Sequence, residues 1–287
     1  MIWFNGTTAS HCQTPQPAAP VLTFPGARQA PLAITTDDRI ITHDRDTTEV
    51  VIWKVQDGTL REVQRLHSNW PHGNHTGRTR EGMLSHDEQR LAGCFEGILF
   101  TADLAAGILR WGAAARSATR YASHALSPDG NWVAATGLGS GITICRFEQP
   151  AAVHATLTGT APGYDTAVCF SSDSALLFAG NESGQVRVWD TATWTELPAL
   201  SWPAHRSAVT ALAVSHDGTL IATSGDDTLK LYDTQPAPGE SHRRERLSFT
   251  LDQPANWIRF ARDAAGADRA MLHCSPDGAL QMWEADP

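Results

Sequence analysis

An all-β chain built from one repeated antiparallel unit is predicted by three observations. A tight turn recurs at a nearly constant interval. An alternating strand follows each turn at a nearly constant distance. No stretch shows the i, i+3, i+4, i+7 apolar spacing of a helix over three turns. The turns are Thr35-Thr36-Asp37-Asp38, Ser85-His86-Asp87-Glu88, Ser127-Pro128-Asp129-Gly130, Ser171-Ser172-Asp173-Ser174 and Ser215-His216-Asp217-Gly218. They begin 50, 42, 44 and 44 residues apart, and a degenerate sixth copy starts at Ala261.

The turn is the first element of the unit. Asp closes it through its carboxylate and Gly tolerates positive φ, so these residues are tight-turn chemistry. The second element is a short apolar run, such as "NWVAAT" (131–136), "ALLFAG" (175–180) and "TLIATS" (219–224). The third element follows about fifteen residues after each turn and ends on an aromatic or apolar residue, as in "VVIWK", "VRVWD", "LKLYD" and "LQMWE". Its period-two alternation marks a strand with one buried and one more polar face. A looser outer strand completes the unit.

Strand, turn, strand, turn, strand and outer strand at this period describe one blade of a β-propeller of four-stranded antiparallel blades. The chain resembles the WD-repeat family over roughly residues 20–285, most strongly through "VRVWD" (186–190) and "LKLYD" (229–233). The resemblance implies a hydrogen-bonded structural tetrad of His205, Ser224, Asp226 and Tyr232 within one blade. Such a buried polar chain helps only if every member is satisfied. The other copies are expected to lack it, with Asp44 and Asp46 out of register in the first.

Six units are visible, which predicts six blades. The last stops at its third strand, and "PVLTFPG" (20–26) is placed to supply the missing outer strand and close the ring, removing exposed edges. Seven blades is the alternative, because "MIWFNG" also reads as a third-strand ending. The domain expectation is a single propeller over 1–287, with 1–19 as an extension or irregular blade and 20–286 as blades.

Composition bounds the function. The 287 residues are 41% hydrophobic, enough for a packed core. A net charge of −9 argues against nucleic acid, since phosphate contacts need a basic face. Two lysines against twenty arginines, with abundant Ala and Gly, suggest a bacterial, GC-rich source. Five scattered cysteines without CxxC spacing argue against a disulfide framework or a structural zinc site. No apolar stretch is long enough to span a membrane, and the first residues lack a secretion signal, so the expected location is cytoplasmic.

The segment 67–82, "HSNWPHGNHTGRTREG", is the conspicuous insertion. His67, His72 and His75 could contribute to a metal site, or Trp70, His72 and His75 to a partner contact; a solvated loop is the plain alternative. Exposed Trp and Arg anchor protein interfaces, which makes Trp202, Arg206 and Trp257 further candidates. No phosphate-binding loop, dinucleotide fingerprint or nucleophile elbow is present, so no catalytic residue, cofactor or metal is assigned. The expectation is a non-enzymatic scaffold or recognition subunit for a protein partner, a signalling or defence effector. The alternative is an enzyme or ligand binder using the channel mouth and the histidine loop.

Overall fold

The computed structural model describes residues 2–5, 8–11, 21–23, 29–69, 79–112, 121–137, 141–158, 164–236, 243–262, 268–274 and 280–284. These residues form seven sheets, and the one helix among them is a single 3-10 turn at Pro198–Leu200. The chain divides into two compact units, residues 1–116 with 147–152, and residues 117–146 with 153–287.

In the first unit, strands β1 (Ile2–Asn5), β2 (Thr8–His11) and β3 (Val21–Thr23) make a sheet of their own. The second sheet runs β4 (Gln29–Ile34), β5 (Arg39–Asp44), β6 (Glu49–Gln56) and β7 (Thr59–Leu66). The third joins β8 (Thr79–Leu84), β9 (Arg90–Phe95), β10 (Ile98–Asp103) and β11 (Ile108–Trp111). The fourth joins β12 (Tyr121–Leu126), β13 (Trp132–Gly137), β14 (Gly141–Arg146) and β15 (Gln149–Leu157).

The second unit continues with β16 (Asp165–Phe170), β17 (Leu176–Asn181), β18 (Gln185–Asp190) and the short β19 (Thr195–Glu196) and β20 (Trp202–Pro203), both paired to β18. A sixth sheet holds β21 (Ala211–Val214), β22 (Leu220–Gly225), β23 (Thr228–Asp233) and β24 (Glu245–Thr250). The seventh holds β25 (Trp257–Arg262), β26 (Asp268–Cys274) and β27 (Leu280–Glu284).

The expected closing strand behaves differently. β3 pairs with β2, Ala9 opposite Leu22, and β2 pairs with β1, Trp3 opposite Ser10. Pairing with a strand ten residues upstream closes a far smaller loop than pairing with the other end of the chain. Strands β1, β2 and β3 therefore form a separate three-stranded sheet, and Val21–Thr23, the described part of 20–26, pair there and not with β25–β27.

The turn chemistry is uniform. In all five turns the first-position hydroxyl meets the Asp carboxylate, Thr35–Asp37, Ser85–Asp87, Ser127–Asp129 and Ser171–Asp173 at 2.5 Å and Ser215–Asp217 at 2.6 Å. Three of these turns also reach the following sheet through the backbone N–H of their second or third residue. Thr36 donates to Glu88 at 2.9 Å, Asp129 to Ser174 at 3.1 Å and His216 to Asp268 at 2.7 Å.

The apolar runs after the turns become the second strands, buried on both faces over nearly their whole length. In the first unit Leu32, Ile41, Ile52, Leu91, Phe95 and Phe100 form one cluster joining the second and third sheets. In the second unit Phe178, Val186, Val188, Trp202, Ile221 and Tyr232 join the fifth and sixth. Each such fully buried side chain contributes about 1.5–3 kcal/mol. The fourth strands β7 and β24 are largely exposed and carry Arg61, Glu62 and Arg65, or Glu245 and Arg246, charges that discourage edge pairing.

Candidate functional site

The sheet carrying the anticipated tetrad positions its residues by register. Tyr232 on β23 pairs with Ile221 on β22, so the hydroxyl on the same face two residues on is Thr223. The His205 ring sits there, Nε2 2.8 Å from Thr223 Oγ1 and Nδ1 3.2 Å from Thr228 Oγ1. Gly225 lines this ring; a β-carbon there would lie 2.8 Å from His205 Cγ and 2.7 Å from the Ala208 carbonyl. Burial pushes the imidazole down to about 4, with the Lys230 charge acting in the same direction.

Ser224 points to the opposite face, one residue being half the strand period. It donates to the Thr228 carbonyl and accepts from the Ala255 N–H at 2.9 Å. Asp226 accepts from the backbone N–H of Arg206 rather than from the His205 ring. Burial opposes its ionisation, but bonds from Ser207 and Arg206 outweigh that and hold the carboxyl below its usual range. The Tyr232 hydroxyl lies at the far end of its ring, passes Thr223 and donates to the Ala204 carbonyl at 3.2 Å. The predicted closed tetrad is thus corrected to a His205–Thr223 pair flanked by separate contacts.

The complete chain lies elsewhere, in the second sheet. Trp53 pairs with Ile40, placing Thr42 in the position that Thr223 holds. Trp53 Nε1 donates to Thr42 Oγ1 at 2.8 Å, Thr42 Oγ1 to Gln29 Oε1 at 2.5 Å, and Gln29 Nε2 to Asp44 Oδ2 at 2.8 Å. Gln29 supplies one donor and one acceptor from its amide, the pair a neutral imidazole would give. Asp44, expected to be out of register, is in register once its partner is Gln29.

The fifth sheet has Ala179 where a hydroxyl would stand, two residues beyond the Leu177 that pairs with Trp189. Its polar centre is instead an ion pair of Arg187 with Asp165, both side chains 3% exposed, with the guanidinium over the Trp189 ring at 5.1 Å. Burial raises the Asp165 carboxyl against the opposing pull of Arg187.

The partner-contact candidates separate clearly. Trp202 is 6% exposed, edge-on to Tyr232 at 5.6 Å and Phe178 at 6.5 Å, with Arg243 over its face at 4.5 Å. It is a core residue and not a surface anchor, because β20 turns it inward against β18. Arg206 is exposed and Trp257 half-buried at the start of β25. Trp70, His72 and His75 lie outside the described residues. His67 is exposed and has a carboxylate beside it, Nδ1 standing 2.7 Å from Glu49 Oε1, while Arg65 holds the other oxygen at 2.8 Å. Among the described residues no group of three His, Cys, Asp or Glu could hold a metal ion.

An unanticipated cluster lies in the second unit. Trp132 at the start of β13 meets the Trp194 ring edge-on at 5.1 Å and the His154 ring at 4.7 Å. The Arg146 guanidinium lies over Trp132 at 4.6 Å. Both Trp rings are half-buried, while Arg146 and His154 are exposed. The four residues come from three strands and a turn, so no contiguous motif announces them.

Residues 155–190 and 197–233 match the family model described as WD domain, G-beta repeat. The chain is 30% identical over 121 residues to Autophagy-related protein 16 of Arabidopsis thaliana, covering 41% of this chain and 22% of that protein. It is 27% identical over 120 residues to Pre-mRNA-processing factor 19 of Oryza sativa subsp. japonica, again 41% and 22%. It is 28% identical over 118 residues to Target of rapamycin complex subunit wat1 of Schizosaccharomyces pombe, 41% of this chain and 34% of that one. The alignments thus span about a fifth to a third of the length of these relatives. Among the described residues no helix is long and apolar enough to cross a membrane. The matched segments coincide with the fifth and sixth sheets: residues 155–190 and 197–233 carry WD repeats, and the second, third and fourth sheets repeat the same turn-and-strand register.

Proposed function

We propose that the chain is a recognition or scaffold module that holds a protein partner and carries out no chemistry of its own. The observation that carries this reading is the match of its repeats to WD-repeat proteins, one of them named as a subunit of a complex. The Trp53–Thr42, His205–Thr223 and Arg187–Asp165 contacts support it, since they brace strands. A rigid β scaffold with surface aromatic and arginine side chains suits partner recognition. The reading extends to one propeller domain over 1–287, located in the cytoplasm. The arginine-rich composition supports a bacterial source, and the resemblance to WD-repeat proteins suggests a signalling or defence effector as the partner.

The test is gentle purification from the native lysate, followed by identification of what co-purifies. A stoichiometric protein that dissociates on Arg206→Glu or Trp257→Ala supports the reading and gives the surface used. A chain that carries a bound metal or small molecule and no protein overturns it.

A further inference from the structure

Trp194 adopts φ +55° at the fifth residue of the turn Asp190–Trp194. Its N–H donates to the Asp190 carbonyl at 2.8 Å, and the Asp190 carboxylate accepts from the Thr193 N–H at 2.8 Å. The third sheet contains the same turn at Asp103–Gly107. There the Asp103 carboxylate accepts from the Ala106 N–H at 2.8 Å, and the fifth residue is Gly107 at φ +69°. Glycine takes this conformation freely, whereas a residue with a β-carbon is strained by about 1–2 kcal/mol, and a bulky aromatic there is an outlier. The chain uses the unstrained solution at 107 and strained ones at 194 and, with Thr48 at φ +58°, in the equivalent turn Asp44–Thr48. The turn has no need of the indole, so its role lies in what the indole touches.

What it touches is the half-buried Trp132, flanked by the exposed His154 and by Arg146 stacked on the ring. Stacking occupies the faces of a guanidinium and leaves its N–H edge free for a carboxylate. Arg146 forms no ion pair among the described residues. One exposed arginine beside two indoles thus stands on a chain of net charge −9. Its charge complements an acidic partner, and Trp and Arg are the residues that most often dominate binding energy.

We propose that Trp132, Trp194, Arg146 and His154 form a docking site for an acidic peptide segment of a protein partner. Its carboxylate pairs with Arg146, and an apolar side chain packs on the two indoles. The proposal rests on the reading of the chain as a recognition module. Nucleic acid does not fit, because one arginine on an acidic surface cannot hold a phosphate backbone.

The test pans phage-displayed random dodecapeptides against the whole chain and measures enriched peptides by fluorescence anisotropy. Enriched peptides are expected to combine several Asp or Glu with a large apolar residue. Their binding is expected to weaken about tenfold or more on Arg146→Glu and on Trp194→Gly, and to fall between ~50 and ~300 mM salt. Because Trp194→Gly relieves the strained turn, its denaturation midpoint stays at or above that of the unaltered chain. A clear drop in that midpoint assigns Trp194 to packing and overturns the proposal. So do enriched peptides that are not acidic or that bind both variants equally, and so does a failure to enrich any peptide. A native partner retained by both variants overturns this site and leaves the recognition reading intact; absence of any native partner defeats that reading separately.

Discussion

Replacing Thr42 with Val keeps the shape of the side chain and deletes one oxygen from the middle of the Trp53–Thr42–Gln29–Asp44 chain. Thr42 is fully buried, so the indole N–H of Trp53 and the amide oxygen of Gln29 both lose their partner where water cannot replace it. Each unsatisfied buried group costs about 1–3 kcal/mol. Burying a methyl group in place of the hydroxyl returns roughly 1 kcal/mol. The expected net loss is about 1–5 kcal/mol. The assay is urea denaturation followed by tryptophan fluorescence and by far-ultraviolet circular dichroism, with the slope checked to be unchanged. Coincidence of the two probes matters for a chain of this size. A double-mutant cycle with Trp53→Phe isolates the bond and should give a coupling of at least about 1 kcal/mol. Single effects that simply add, to within about 0.5 kcal/mol, would refute the polar chain as a stabilising unit.

Acid should act on His205. Its folded value, about 4, lies below the unfolded 6.5, so the unfolded chain binds the proton first. The stability His205 contributes is present above pH 6.5 and is lost as pH falls through about 4, on the order of 3 kcal/mol in all. The denaturation midpoint of the unaltered chain should fall more over this window than that of His205→Asn; parallel profiles would contradict the assignment. Arg187→Met strands the buried Asp165 carboxylate and should cost about 3–5 kcal/mol, with much of it recovered in Arg187→Met/Asp165→Leu, read by the same denaturation. Trp202→Ala should destabilise by about 3–5 kcal/mol while Arg206→Ala stays within about 0.5 kcal/mol. Equal midpoints for the two would show that Trp202 is not core.

The repeat was legible because turn chemistry and strand periodicity are local properties. Ser215 through Gly218 announce a turn whatever surrounds them, and the alternation of "LKLYD" announces its strand. Register is not local. Assigning Ser224 instead of Thr223 is an error of one residue, yet it sends the hydroxyl to the other face. Gln29 carries no sequence sign of its role, because an amide stands where the family pattern has a histidine, although it offers the same donor and acceptor. The Arg187–Asp165 pair joins the middle of β18 to the first residue of β16, and the sequence holds no sign of which carboxylate the arginine meets. The residues around Trp202 have loop composition, which suggests an exposed indole, but short-strand pairing to β18 buries it. The one legible sign of the Trp132 cluster was a tryptophan at the end of "DTATW", where the corresponding "DLAAG" ends on glycine.

The hydrogen bonds by which a turn reaches the next sheet, Thr36 to Glu88, Asp129 to Ser174 and His216 to Asp268, have a consequence for how damage spreads. Repeat proteins behave as one-dimensional arrays in which each module is stabilised mainly by its neighbours. A link from the turn of one module to a side chain of its successor is directional: it strengthens one named interface without touching the interior of either module. Loss of an acceptor such as Glu88 or Asp268 would therefore weaken cooperation between two modules while each keeps its own strands. Fraying would then begin at that seam, and the linked arrangement couples the fates of adjacent repeats whose sequences have drifted apart.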